Sequence, residues 1–149
     1  MSEKEDAVIL PTRIVLPFSY SVGRVASKFF IELRDNKRIM GVKCPKCGQI
    51  LVPPRRYCGK CMAETNEWVE VGDKGTLIAY TVTYRSSPNL PKKPPLAYGI
   101  IKLDGADTNI VHILGEVDLD KIKPGMRVQA VFKDQREGNI LDIDYFKPI

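Results

Sequence analysis

Apolar side chains recur with two different periods along this chain. Over residues 22–33 they return every three or four positions with charged side chains between them, which predicts an amphipathic α-helix of about four turns. This stripe can pack on the protein's own core or dock on a partner chain, and the pattern supports both interpretations equally. The apolar positions of the stripe are Val22, Val25, Ala26, Phe29, Phe30 and Leu33.

Beyond residue 37 the pattern changes to short segments of period two, separated by glycine, proline and aspartate. It predicts short strands over 38–43, 49–52 and 66–71, then longer strands over 76–85, 96–103, 109–114, 127–132 and 139–146. A short helical turn is predicted between the third and fourth of the longer strands, within residues 117–122. Five strands in this order are typical of an OB-fold, a small Greek-key barrel. On the first long strand, one face is predicted to carry Ile78, Tyr80, Val82 and Tyr84.

The four cysteines of the chain lie in one stretch, as two C-x-x-C pairs with ten residues between them. Zn²⁺ favours four thiolates in a tetrahedron, and each C-x-x-C turn supplies two of them. Four cysteines leave no coordination position open for water, so the predicted zinc is structural and Lewis-acid catalysis is not expected. The predicted zinc ligands are Cys44, Cys47, Cys58 and Cys61.

Tight turns at the two cysteine pairs are predicted to use Gly48 and Gly59, because glycine adopts positive φ without steric cost. A disulfide framework is the first alternative for the cysteines, but it needs an oxidising compartment and the chain starts without an apolar signal segment. A thioredoxin-like pair is the second, but it needs one C-x-x-C motif entering a helix. Trp68, the single tryptophan, is predicted to lie in the core or to cover the ribbon.

Composition and charge place the chain among ordinary globular proteins. It has 149 residues, 44% of them hydrophobic, and a formal net charge of +5. No apolar run approaches the roughly 18 residues of a membrane helix, which predicts a cytoplasmic protein without a membrane partner. Residues 36–63 contain seven basic side chains and no acidic one. Part of this charge can neutralise the zinc centre, and the surplus suits a phosphate-bearing partner.

Sequence signals of an independent enzyme are missing. His112 is the one histidine, and its strand neighbours predict a packed residue and not a base. The chain has no G-x-S-x-G elbow and no glycine-rich phosphate loop after a strand. Asp142 and Asp144 alternate on the last strand and are predicted to face solvent. Residues 1–12, which begin with a polar run, are predicted to be a loose tail.

The combination of motifs resembles one prokaryotic family, long catalogued only as a domain of unknown function. The resemblance runs from about residue 22 to the C-terminus. Its members join a rubredoxin-like zinc ribbon to an OB-fold behind an N-terminal helical arm. The motifs that carry it are the two cysteine pairs with Gly48, then Pro53-Pro54-Arg55, Trp68, Gly75-Thr76-Leu77, Tyr80-Thr81 and Gly125-Met126 with Val128.

The resemblance implies a mainly β protein with an N-terminal helical arm, a rubredoxin-like zinc ribbon and a five-stranded OB-fold barrel. The corresponding division is residues 1–37 for the tail and helix, 38–73 for the ribbon and 74–149 for the barrel. Members of the family accompany thiolase-fold enzymes and other acyl-CoA enzymes as accessory subunits. The expected function is therefore a non-catalytic subunit that binds acyl-CoA or bridges two enzymes, with structural Zn²⁺ as its cofactor.

Acyl-CoA carries three phosphates and an apolar acyl and pantetheine part. Basic side chains are predicted to pair with the phosphates, and aromatic side chains are predicted to line the apolar channel. The predicted phosphate contacts are Arg55, Arg56, Lys92 and Lys93, and the predicted apolar contacts are Phe29, Phe30 and Tyr84.

Two further functions stay as alternatives. Single-stranded nucleic-acid binding fits an OB-fold with a basic ribbon, but it needs exposed aromatic side chains for base stacking. A free-standing zinc or redox enzyme depends on the cysteines alone. Strand alternation predicts that at least two of the candidate stacking residues are buried; the candidates are Tyr57, Tyr80, Tyr84 and Tyr98.

Overall fold

A computed structural model describes residues 8–149, which form one helix, a three-stranded sheet and a five-stranded barrel. The polar run that opens the predicted tail lies outside the described residues. Residues 8–22 lead into the helix without regular secondary structure. The elements are α1 (Gly23–Asn36), β1 (Ile39–Lys43), β2 (Ile50–Leu51), β3 (Glu67–Val71), β4 (Lys74–Thr83), β5 (Leu96–Leu103), β6 (Asn109–Leu114), a 3₁₀ turn (Leu119–Lys121), β7 (Arg127–Phe132), a second 3₁₀ turn (Ile140–Asp142) and β8 (Ile143–Pro148).

Helix α1 forms where the apolar stripe predicts it. It ends at Lys37, which takes the left-handed conformation at φ 53° and donates its N–H to the carbonyl of Glu32. Phe29 and Leu33 are buried, and Phe30 packs on the core from the edge. The middle of the stripe therefore packs on the protein's own core, while Val22 at its start and Ile31 beside it stay exposed.

The ribbon is a small antiparallel sheet with strand order β2-β1-β3. Strand β1 pairs with β3 from Ile39 opposite Val71 to Lys43 opposite Glu67. The indole of Trp68 contacts both the cluster around the cysteines and the main core. The ammonium of Lys28 on α1 lies 4.5 Å from the centroid of that indole ring, so a cation–π contact joins the helix to the ribbon.

The second half of the chain closes into a barrel with strand order β4-β5-β6-β8-β7. Strands β6 and β8 meet in parallel at Leu114 and Phe146, and the other neighbours are antiparallel. A 3₁₀ turn separates the third barrel strand from the fourth. The predicted fold class, a zinc ribbon followed by a five-stranded OB-fold barrel, is confirmed.

One hydrophobic core continues from the ribbon into the barrel. Ile39, Val52 and Val71 of the ribbon belong to the same buried cluster as the barrel residues Leu103 and Ile110. Backbone contacts reinforce this junction, since residue 50 exchanges hydrogen bonds of 2.8 Å with residue 107 and residue 52 bonds to the side chain of residue 108. The predicted domain boundaries at residues 37 and 73 stay predictions.

The first barrel strand has a register irregularity between Leu77 and Ala79, and in it Leu77 is buried while Ile78 and Tyr80 are exposed. The prediction that at least two candidate stacking tyrosines are buried is wrong. None of the four is buried: Tyr57, Tyr80 and Tyr84 are exposed and Tyr98 is intermediate.

The start of the last predicted strand is also wrong. Residues 140–142 form a 3₁₀ turn capped by Asn139, and β8 begins only at Ile143. Asp142 is buried instead of facing solvent, because its carboxylate accepts backbone N–H groups from residues 137–139. Asp144 is partly buried and forms an ion pair of 2.8 Å with Lys92.

Within residues 8–149, no helix combines the length and the apolar character that crossing a membrane requires.

Candidate metal centre and ligand groove

Two backbone turns position the cysteines. In the first, the N–H of Gly48 donates to the carbonyl of Cys44 at 2.9 Å, and the N–H of Cys44 donates to the carbonyl of Gln49. The second repeats this arrangement, with the N–H of Met62 donating to the carbonyl of Cys58 at 2.8 Å. Each pair of sulfurs is therefore fixed by its own short loop, as a zinc knuckle requires.

The four sulfurs meet in a cluster of the right size for zinc. All four Sγ atoms lie within 4.8 Å of one another, and those of Cys47 and Cys58 are 3.7 Å apart. A tetrahedron with Zn–S bonds of about 2.3 Å has edges of about 3.8 Å, so the observed spacing suits the ion. Cys44 and Cys58 are fully buried, and Cys47 and Cys61 are partly exposed.

The electrostatics of the cluster also favour a bound cation. A hydrogen bond from the backbone of Cys47 lowers the pKa of the Cys44 thiol to about 7. A hydrogen bond with the Cys47 side chain, together with burial, raises the pKa of the Cys61 thiol to about 12. Four thiolates this close repel one another, and a divalent cation offsets that repulsion. The prediction of a structural zinc is confirmed.

The predicted glycine roles in the knuckles are half right. Gly48 has φ 75°, as predicted, but Gly59 is not among the residues with positive φ. The left-handed position of a knuckle follows its second cysteine, and in the second knuckle Met62 occupies it with φ 55°. Met62 is also 75% exposed, so burial of its side chain does not stabilise this backbone conformation.

The basic segment of the ribbon is partly neutralised by acidic residues from outside it. Arg38 contacts Glu32 at 2.8 Å and, more weakly, Glu70 at 3.5 Å. Lys43 lies 3.7 Å from Glu67. Because these acidic side chains come from α1 and β3, the local sequence overstates the free positive charge of the ribbon.

A groove of about 870 Å³ lies between the first turn of α1 and the loops of the ribbon, and we call it the α1 groove. The N-cap residue Val22 makes no side-chain cap hydrogen bond, and the first turn contains no acidic residue. The guanidinium of Arg56 enters the groove wall and lies 3.0 Å from the carboxylate of Glu64. The groove is lined by Val22, Gly23, Arg24, Val25, Ala26, Pro54, Arg56, Glu64 and Thr65.

The structure separates the predicted acyl-CoA contacts into two groups. Arg56 lines the α1 groove, and Arg55 precedes it in the same loop. Tyr84, Lys92 and Lys93 lie instead in the loop between β4 and β5. The two groups therefore lie on different elements, and a single acyl-CoA site that uses both stays a prediction.

Packing in the hydrophobic core determines where two of the remaining predicted acyl-CoA contacts, Phe29 and Phe30, lie. Phe29 is 2% exposed, so it supports the helix and does not line an open channel. Phe30 contacts it at 5.5 Å between ring centroids and is half-buried. In the second group, Lys92 is engaged with Asp144 and lies 4.7 Å from the ring centroid of Tyr145.

Sequence reasoning missed Arg24, Glu64 and Thr65 as groove residues. Arg24 was visible as part of the polar face of α1, but the partners that complete the groove come from a loop about forty residues later in the chain. Tertiary packing determines how close residues so far apart in the sequence lie in space, and no local sequence pattern encodes it.

His112 is buried in the barrel and does not face the α1 groove residues. Its Nε2 lies 3.1 Å from the carbonyl oxygen of Ile140, and its ring packs edge-on against Phe146. Burial lowers the pKa of this imidazole. The prediction of a packed histidine is confirmed.

Fold and metal centre together define a zinc-ribbon protein with a C-terminal OB-fold. Two family models match consecutive parts of the chain. Residues 32–67 match the model described as ChsH2, rubredoxin-like zinc ribbon domain, and residues 68–133 match the model described as ChsH2, C-terminal OB-fold domain. The chain therefore belongs to the family of ChsH2-type (DUF35) proteins, as the motifs predict.

Similar archaeal proteins are named for a scaffold role. A DUF35 domain-containing scaffold protein of Methanocaldococcus jannaschii is 28% identical over 79% of this chain and 86% of its own length. A protein of the same description from Pyrococcus furiosus is 28% identical over 83% of this chain and 92% of its own length. At this level the prediction of a scaffold or accessory protein is confirmed.

Solved structures show the same fold. A chain of the Ltp2–ChsH2(DUF35) aldolase superposes with a TM-score of 0.64 at 22% identity, over 87% of this chain and 98% of that one. A DUF35 protein of unknown function from Sulfolobus solfataricus gives a TM-score of 0.60 at 26% identity, over 73% and 78% of the two chains.

Proposed function

We propose that this chain is a non-catalytic scaffold subunit that holds an acyl-CoA beside a thiolase-fold enzyme or a related acyl-CoA enzyme. The observation that carries the ligand part is the α1 groove, which Arg24 and Arg56 line beside the first turn of a helix. The scaffold part is supported by the names of the archaeal relatives.

The dimensions of the groove suit a cofactor-sized ligand. Its volume of about 870 Å³ falls within the range of roughly 300–1,000 Å³ that is usual for small-molecule sites. Val22, Val25 and Ala26 give it an apolar side for a pantetheine or acyl chain. The lining also includes the polar residues Arg24, Arg56, Glu64 and Thr65, so a ligand with an apolar part and a phosphate part matches both kinds of lining.

Positive electrostatic character at one end of the groove suits the phosphates. Backbone N–H groups in the first turn of a helix carry partial positive charge and bind anions. Arg24 lies in that turn and adds a full charge. Arg56 pairs with Glu64, but both side chains are more than half exposed, and such a surface pair contributes only about 0–1 kcal/mol. A phosphate can therefore displace Glu64 at low cost.

The proposed role needs no chemistry from the metal. Four thiolates complete the zinc coordination, so the ion fixes the ribbon loop that carries Arg55 and Arg56. An acyl-CoA held there would be presented to an enzyme that supplies the catalytic groups. This division of labour also agrees with the buried, packed environment of His112.

Calorimetric titration of CoA into the zinc-loaded full-length protein tests the groove. We expect Arg56→Ala to weaken CoA binding about tenfold or more, because a charge-assisted hydrogen bond contributes roughly 1.5–3 kcal/mol. Lys60→Ala is the matched control, since Lys60 is an exposed cation of the same ribbon that does not line the groove. It should bind CoA as the unsubstituted protein does.

Lys93→Ala tests the second group of predicted contacts in the same titration. If the phosphates lie in the α1 groove, this variant keeps its CoA affinity. Loss of affinity in Lys93→Ala but not in Arg56→Ala would move the site to the β4–β5 loop. No measurable CoA binding by the unsubstituted protein would contradict the ligand part of the proposal.

Single-stranded nucleic-acid binding is the second candidate, and the exposure of Tyr57, Tyr80 and Tyr84 favours it. Stacking on exposed aromatic side chains stabilises such complexes by about 1–3 kcal/mol per base. Anisotropy of a labelled oligonucleotide at two salt concentrations separates the candidates, because phosphate contacts make binding weaken steeply with salt. Undetectable oligonucleotide binding removes this candidate.

A further inference from the structure

The segment before α1 exposes a continuous run of large apolar side chains, and we call residues 8–20 the N-terminal arm. Each of its eight large apolar side chains is 66–86% exposed. The arm has no regular secondary structure and contacts neither core cluster. Its exposed side chains are Val8, Ile9, Leu10, Ile14, Val15, Leu16, Phe18 and Tyr20.

An exposed apolar surface of this size marks an interaction site. At about 100 Å² a side chain, burying the eight would remove roughly 800 Å² from water. That is the area which one partner contributes to a protein–protein interface of standard size. Exposed apolar patches of several hundred Å² on soluble proteins usually mark interaction surfaces. The arm is therefore large enough to form one side of a standard-size interface.

The low charge and the prolines of the arm indicate that its binding partner is a groove on a folded protein. Arg13 is the single charged residue from position 8 to position 23. Pro11 and Pro17 interrupt helix formation, so the arm cannot become the basic amphipathic helix that binds lipid surfaces. An extended apolar peptide with one cation fits an apolar groove that has a single acidic group.

The barrel of a second copy offers little exposed apolar surface to the arm. Large apolar side chains exposed on the barrel are few, and Ile78, Ile100 and Val111 are the main ones on the faces of β4, β5 and β6. Three exposed side chains are too few to cover the eight apolar side chains of the arm. The barrel is also closed, so it presents no free strand edge to which an extended arm could add.

The position of the arm connects it to the α1 groove. Tyr20 is two residues from Val22, the first residue that lines the groove. We infer that the N-terminal arm docks in an apolar groove of the acyl-CoA enzyme that this scaffold serves, and so holds the α1 groove at the enzyme surface. This inference rests on the proposed function and names the surface through which it operates.

Site-specific photocrosslinking in the native host tests the docking. The full-length chain carries a photoreactive phenylalanine analogue in place of Phe18, and the crosslinked protein is identified by mass spectrometry. The same analogue in place of Lys121, which is as exposed but lies on the first 3₁₀ turn, is the matched control. We expect a crosslink to an acyl-CoA enzyme from position 18 and none from position 121.

A charge introduced into the arm gives an independent readout. Leu16→Asp should lower recovery of the acyl-CoA enzyme with the tagged chain at least tenfold, while zinc content and CoA affinity stay unchanged. Val111→Asp, which makes the same change from an exposed apolar side chain to a carboxylate on strand β6 of the barrel, should leave recovery unchanged.

Three results would overturn the inference. A crosslink from position 18 to another copy of this chain or to lipid would identify a different occupant. Undiminished recovery of the enzyme by Leu16→Asp would show that docking does not use the arm, while leaving the proposed function intact. Failure of the unsubstituted chain to recover any acyl-CoA enzyme would contradict the inference and the proposed function together.

Discussion

Met62 carries the least favourable backbone conformation of the zinc ribbon. Its φ of 55° lies in the left-handed region, which costs a residue with a Cβ atom roughly 1–2 kcal/mol. Glycine adopts this region freely but loses more conformational entropy on folding. We therefore expect Met62→Gly to raise the free energy of unfolding by about 0.5–1 kcal/mol, measured by urea titration at fixed free zinc.

Two glycine variants complete that experiment. Gly48→Ala should lower the free energy of unfolding by a similar amount, because Gly48 has φ 75° in the first knuckle. Gly59→Ala should have little effect, since residue 59 has ordinary φ and an added Cβ atom meets open space. A destabilised Met62→Gly, or a Gly59→Ala as unstable as Gly48→Ala, would contradict this assignment of strain.

His112 makes folding sensitive to acid. Burial holds the pKa of its imidazole below the ordinary 6.5, with Asp144 acting to raise it and Lys92 to lower it. Hydrogen bonds with the backbone of Ile140 and Ile113 act to raise this pKa, but burial outweighs them. The unfolded chain then binds more protons than the folded one below pH 6.5. The His112 contribution to stability is complete above that pH and declines as the pH falls.

The variant His112→Gln isolates this effect from the titration of the zinc ligands. Glutamine keeps a donor for the carbonyl of Ile140 but does not ionise. Between pH 6.5 and 5.5 the unsubstituted protein should lose up to about 1 kcal/mol more stability than the variant, measured by chemical denaturation. Equal losses for the two proteins would show that His112 does not titrate on unfolding.

At the residue scale the sequence predicts chemistry better than conformation. The spacing of the cysteines identifies all four zinc ligands, because a knuckle is a local structure of five residues. The sequence does not predict the positive φ of Met62, because glycine is the residue type that indicates positive φ and residue 62 is a methionine. Strand alternation also fails to predict the burial of Asp142, because residues 140–142 form a 3₁₀ turn and not a strand.

At the scale of elements, the second 3₁₀ turn depends on one buried carboxylate. Asp142 accepts N–H groups from Glu137 at 2.9 Å and Gly138 at 2.8 Å, and its turn contacts α1. Asp142→Ala would remove the acceptor of both partly buried hydrogen bonds. We expect it to lower the free energy of unfolding by about 2–4 kcal/mol, measured by urea denaturation.

Asp144→Ala is the control for that experiment. Asp144 is two residues away and forms a partly exposed ion pair with Lys92, for which removal costs about 1 kcal/mol or less. Similar losses for the two aspartate variants would contradict the capping role of Asp142.

The elements themselves were predictable, and the surfaces between them were not. Helix α1 and the strands over 96–103, 109–114 and 127–132 follow directly from their hydrophobic periods. The α1 groove was not visible, because Arg24 and Arg56 meet only after the helix packs on the ribbon. The sequence pattern also does not identify the N-terminal arm, because its apolar residues have neither a helical nor a strand period.

For the whole molecule, the shared core makes the zinc site important beyond the ribbon. Ile39, Val52 and Val71 pack on barrel residues within one cluster, so unfolding the ribbon exposes part of the barrel core. Zinc binding contributes roughly 10–16 kcal/mol to the folding of isolated zinc-finger peptides. We therefore expect Cys47→Ser to lower the stability of the whole chain in a single cooperative transition.

Circular dichroism and tyrosine fluorescence, followed together during heating, check this prediction. Coincident transitions at a lower temperature than in the unsubstituted protein would support a shared core. A barrel transition that keeps its original midpoint after the ribbon has lost zinc would show that the two parts fold independently.

Native mass spectrometry of the tagged full-length chain, isolated from its native source, tests the central claim most directly. The account predicts a complex that contains this chain, one zinc ion per chain and an acyl-CoA enzyme, with CoA or acyl-CoA released on activation. Recovery of the zinc-loaded chain alone, or bound to an oligonucleotide, would contradict the assignment of this protein as an acyl-CoA scaffold.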